Sequence, residues 1–108
     1  MMTPERTARI YKELPGEQAN AVIGALCLMG HNSGIELSLG SPDVWELISR
    51  DAEGFYHIDK VDEKGNNLSD TIYCSSTDAI LDFIIPRVLE ESLEHELYDG
   101  YGNFMFSF

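Results

Sequence analysis

The chain has 108 residues, 44% hydrophobic and 24% charged, which fits one globular domain with its own core and excludes a disordered segment. Nineteen acidic residues against seven basic give a formal net charge of −12. Such a surface repels nucleic-acid phosphates and anionic lipid, so no direct nucleic-acid or membrane binding is expected; it favours a basic protein partner, or simply solubility.

Thr3-Pro4-Glu5 has the character of a helix start. Thr3 can cap, Pro4 suits the first helical position and Glu5 the positive end of the dipole. That helix is predicted to run to about Leu14, where Pro15-Gly16 ends it. A second helix follows from Glu17 to Met29, with Ala19, Val22, Ile23, Leu26 and Met29 on one stripe and Gly30 closing it. His31-Asn32-Ser33-Gly34 has loop composition.

Strand character then takes over. Ile35, Leu37 and Leu39 alternate with Glu36 and Ser38. After a turn at Gly40–Asp43, strands are predicted over Val44–Asp51, Phe55–Asp62 and Leu68–Ser75, joined by Asp51–Gly54 and Glu63–Asn67. Short links favour sequential antiparallel pairing. Ser76 or Thr77 caps a closing helix from Thr77 to Leu97. On a helical wheel Ile80, Leu81, Ile84, Ile85 and Val88 share the core side, and Arg87, Glu90, Glu91 and Glu94 the far side. Pro86 should kink this helix or divide it. In the aromatic tail Phe104, Phe106 and Phe108 alternate, as in a last short strand or a sticky terminal segment. The expected fold is therefore α+β: a four-stranded, mainly antiparallel sheet packed by two N-terminal helices and one long, Pro-kinked C-terminal helix.

Catalytic and cofactor motifs are missing from the sequence. No glycine-rich phosphate loop is present, and no cofactor is expected. Glu91 and His95 are spaced to meet on one helix face, but a pair is not a metal site and a solvated ion pair explains it. Asp59, Asp62, Glu63, Asn66, Asn67 and Asp70 crowd one turn without calcium-loop order, because Lys64 stands where an oxygen ligand belongs. Cys27 and Cys74 are 47 positions apart and are expected to be reduced and buried. The N-terminus lacks an apolar leader, which suggests a cytoplasmic protein. A small hydrolase using His57 or His31 has no positive support.

A surface remains. From Val88 onward there are five acids, Glu90, Glu91, Glu94, Glu96 and Asp99, and no lysine or arginine. Asp59, Asp62 and Glu63 add to them, with Tyr98, Tyr101 and Phe104 as aromatic anchors. Such a cluster mimics a phosphate backbone and can occupy a basic cleft, although a solvated helix face also accounts for it. In length, charge, the Trp45-Glu46-Leu47-Ile48 and Phe55-Tyr56-His57-Ile58 strand pair and the closing acidic helix, the chain resembles the immunity proteins of bacterial toxin systems. The resemblance implies an inhibitor of a cognate toxin, often a nuclease, that blocks its active site or an exosite. The acidic phage-encoded inhibitors of nucleic-acid-binding defence complexes look similar on the same grounds. The other expectation is a structural or adaptor subunit that forms a homodimer through the aromatic tail.

Overall fold

The computed structural model describes residues 2–29, 36–41, 43–90, 93–99 and 101–108. Helix α1, Pro4–Glu13, begins as its sequence dictates: the Thr3 hydroxyl accepts the Arg6 N–H at 3.2 Å, and Pro4 takes the first turn. Leu14 is extended and Pro15 follows, so the helix stops there. Helix α2, Gly16–Met29, buries Ala19, Val22, Ala25, Leu26 and Met29. The loop His31–Gly34 and the strand start at Ile35 lie outside the described residues.

Among the described residues six strands form one antiparallel sheet, not the expected four. They are β1 Glu36–Gly40, β2 Val44–Arg50, β3 Tyr56–Asp62, β4 Ile72–Cys74, β5 Glu94–Tyr98 and β6 Phe104–Ser107, in the order β4-β3-β2-β1-β5-β6. The first four make the expected meander, with β4 shorter than predicted. Between β4 and β5 the chain crosses back as helix α3, Thr77–Val88.

This crossover corrects the long C-terminal helix. Helix α3 is capped by Ser76, whose hydroxyl accepts the Ala79 N–H at 3.1 Å. It ends two residues after Pro86, with Glu90 N–H turning onto the Arg87 carbonyl at 3.1 Å. Pro86 occupies the exposed side of the last turn, where its missing N–H removes only the bond back to the Asp82 carbonyl, and the Leu89 N–H still donates to the Ile85 carbonyl at 3.2 Å. The residues beyond it satisfy a second period. His95 and Leu97 turn inward and Glu94, Glu96 and Tyr98 outward, which is strand alternation. The edge of β1 offered that segment a full ladder, from Glu36 opposite Tyr98 to Gly40 opposite Glu94.

Three hairpin turns repeat one device. Asp51-x-x-Gly54, Asp62-x-x-Gly65 and Asp99-x-x-Gly102 each place glycine at positive φ, at 93°, 84° and 80°. In each, the glycine N–H donates to the Asp carbonyl, and the Asp carboxylate accepts the N–H groups two and four residues on. Such turns need glycine at the left-handed position.

The core lies on one side of the sheet. Leu37, Leu39, Ile48, Tyr56, Ile58 and Leu97 share that side by register and pack with Ile10, Val22, Met29 and the α3 stripe Ile80, Leu81, Ile84, Ile85 and Val88. Each such side chain contributes about 1.5–3 kcal/mol on burial. Arg6 and Arg9 of α1 bridge to Asp78 and Asp82 of α3 at 3.0 and 2.6 Å. Arg87 reaches Glu46 on β2 at 2.7 Å, tying α3 to the sheet. The thiols are free, but Cys27 is exposed and Cys74 half-buried, against the expectation that both are buried. No helix among the described residues is long and apolar enough to cross a membrane.

Candidate functional site

With the helices on one side, no described helix or strand covers the other side of the sheet. Register places Tyr73 of β4, His57, Asp59 and Val61 of β3, Trp45, Leu47 and Ser49 of β2, Glu36 and Ser38 of β1, Glu94, Glu96 and Tyr98 of β5, and Phe104 of β6 on it. Four carboxylates, Glu36, Asp59, Glu94 and Glu96, stand here among aromatic rings. None of the seven basic residues occupies a strand position on this face: Arg6, Arg9 and Lys12 are on α1, Arg87 on α3, Arg50 and Lys60 on the helix side of their strands, and Lys64 in the β3–β4 turn beside it.

The face is shallow and concave at its centre. A groove of about 280 Å³ is lined by Glu36, Ser38, Trp45, Leu47, Val61 and Tyr98, with Glu96 on one side and Asp62, Glu63 and Gly65 of the β3–β4 turn on the other. Burial in this groove raises the Glu36 pKa above its ordinary range, and the charge of Asp59 pushes it further the same way. Tyr98 is raised too, first by burial, then by donating its hydroxyl to Glu96 Oε1 at 3.1 Å and by the charges of Glu96 and Glu36. Thr71 donates its hydroxyl to Asp59. Like charges held together without a cation cost free energy in the isolated chain, and a cation from outside relieves that cost.

The rim carries a polar pair. His57 Nε2 lies 2.7 Å from Asp51 Oδ2, with the Tyr73 ring edge-on at 4.6 Å. The His57 contact holds the Asp51 carboxyl low, opposed by desolvation and assisted by the Phe55 and Glu53 N–H groups. Ser49 stands across the strand, yet no hydroxyl or thiol among the described residues is hydrogen-bonded to His57. The pair is a hydrogen-bonded histidine–carboxylate contact that fixes the orientation of the imidazole. No group of three or more possible metal ligands occurs among the described residues.

The structure redistributes the residues singled out in the sequence. Asp59, Asp62, Glu63, Glu94, Glu96 and Tyr98 come together on the open face or along its groove. The helical acidic face of Glu90, Glu91 and Glu94 does not form: Glu90 follows the end of α3, Glu91 is outside the described residues and Glu94 begins β5. The Glu91–His95 pair on one helix face is likewise replaced. His95 is buried on the core side, with Nδ1 2.8 Å from the Phe108 carbonyl oxygen and Nε2 3.3 Å from that of Arg87. Asp62 and Asp99 are engaged by turn N–H groups, which hold both carboxyls below the ordinary range. Tyr101 sits at the tip of the β5–β6 turn, 93% exposed.

Sequence reasoning missed Glu36, Trp45, Leu47 and Val61 as site residues. The alternation in β1 already turned Glu36 away from Leu37 and Leu39, and that was the available signal. In β2 polarity misleads, because Glu46 faces the helices through its Arg87 partner while Leu47 faces outward. The chain matches no known protein family, no curated protein and no solved structure.

Proposed function

We propose that this protein is a stoichiometric inhibitor that docks a basic protein partner on its uncovered sheet face. One observation carries the reading: the face holds Glu36, Asp59, Glu94 and Glu96 around Trp45 and Tyr98, and its strand positions carry no lysine or arginine. Acidic side chains supply steering toward a positive surface, and the aromatic rings supply desolvated contact at the centre. A nuclease cleft is a fitting target, since it is positively charged to hold phosphate. The toxin-immunity role is the specific form proposed, with Glu63 and Glu96 flanking the groove as part of the contact. An inhibitor of a nucleic-acid-binding defence complex uses the same chemistry, and the activity of the bound partner distinguishes the two.

The test is capture from the native host at low salt, followed by zero-length cross-linking of carboxylates to partner lysines. Cross-links at Asp59, Glu94 and Glu96, with binding that weakens as salt rises, support the reading. Cross-links confined to Glu5, Glu13 and Glu17 on the helical layer, or binding indifferent to salt, overturn it.

A further inference from the structure

We infer that β6 pairs antiparallel with β6 of a second copy about a two-fold axis, joining the two six-stranded sheets into one. This does not depend on the basic-partner reading. Among the described residues strand β6 is a sheet edge, bonded on one side only, to β5. The Phe108 N–H donates inward to the His95 carbonyl at 3.0 Å, so by strand alternation Ser107 turns its own backbone groups outward, with no partner among the described residues. Phe108 also packs against the core and places its carbonyl oxygen 2.8 Å from His95 Nδ1. The end of the edge is thereby fixed and not frayed, which makes it a template.

The side chains fit a copy of themselves better than solvent. Phe104, Met105 and Phe106 are 54%, 43% and 39% exposed. From Tyr101 to Phe108 there is no charged residue and no proline, two of the devices that protect an edge. The register shift opposite Leu97 and Tyr98 shortens the regular ladder, so side-chain burial contributes the larger share. Charge selects the site. Two protomers of −12 repel each other, and an uncharged edge is where that repulsion is least. The opposite edge, β4, spans only Ile72–Cys74, and Asp70 stands two residues before it. An antiparallel edge pair has its two-fold axis perpendicular to the sheet, so both open acidic faces lie on the same side of the joined sheet.

Sedimentation equilibrium of the purified chain across protein concentration and salt tests this. Dimerisation should strengthen by about tenfold between about 0.02 and 0.5 M salt, because screening removes like-charge repulsion. That is the opposite sign to binding of a basic partner, so the two readings fail separately. Ser107→Pro removes an outward N–H while leaving the bonds to β5 in place, and it should weaken the dimer at least about tenfold without loss of fold by circular dichroism. Met105→Lys should do the same by putting a charged, hydrated side chain on the apolar edge, and it decides the matter if Ser107→Pro does not fold. A folded wild type that stays monomeric throughout, or a dimer indifferent to the folded variants, overturns the inference.

Discussion

Replacing Glu94 and Glu96 together by lysine reverses charge on the open face where the strand neighbours are neutral. Glu94 stands opposite Gly40, and Glu96 between Ser38 and Ser107. No core contact is lost, because His95 and Leu97 carry the buried side of β5. The two reversals take the net charge from −12 to −8. A partner cation about 7 Å from one such site interacts with it by about 0.6 kcal/mol in water, so each reversal changes the energy by about 1.2 kcal/mol. Two sites give about 2.4 kcal/mol, and screening over a Debye length of about 10 Å at 0.1 M roughly halves this, leaving about a tenfold slower association. Stopped-flow association with the captured partner measures it. The control is Glu5→Lys with Glu17→Lys, the same charge change made on α1 and α2 behind the sheet. Those sites are about a Debye length or more from the face, so the control should slow association by less than about threefold. Equal slowing by both pairs would mean that net charge acts and the face does not. An unchanged rate for Glu94→Lys with Glu96→Lys would place the contact elsewhere.

Two further outcomes follow from the same geometry. A Cβ added at Gly40 would meet the Val44 carbonyl oxygen and lie 2.8 Å from Trp45 Cα, both backbone, so Gly40→Ala must open the β1–β2 turn. It should cost about 2–4 kcal/mol in denaturant unfolding and change Trp45 fluorescence; unchanged stability would mean the close approach is not maintained in solution. Glu36 has a pKa raised in the folded state, above its ordinary 4.5, so its destabilisation is absent below the unfolded value and fully present once pH exceeds the folded one. Glu36→Gln should therefore stabilise the free chain at neutral pH and flatten the fall in stability with rising pH, while weakening the partner complex. A melting temperature at neutral pH equal to or below wild type refutes this.

Much of the local structure was legible in the residues themselves. Thr3-Pro4-Glu5 and Ser76 mark helix starts because a hydroxyl oxygen can accept the unpaired N–H groups of the first turn. The β1–β4 meander follows from alternation and short links. The third Asp-x-x-Gly, at Asp99–Gly102, matches those at Asp51 and Asp62 and was a readable signal for the β5–β6 hairpin. The core stripe of Thr77–Leu97 fits a helical wheel only as far as Val88, and the residues beyond it fit a strand equally well, so the wheel by itself does not mark where α3 ends.

The sequence alone determined the excess of negative charge, the α+β class, the caps and turns, and which side chains are apolar enough to form a core. These depend on neighbours within a few positions or on totals. Tertiary structure decided the rest. A strand needs a partner before its backbone groups are satisfied, so residues 94–98 became β5 only because the edge of β1 was open to them. Likewise, the sheet has two faces and the helices cover one. Whether Glu36, Asp59, Glu94 and Glu96 would meet, and whether any cation would join them, depended on all three helices packing on the other side.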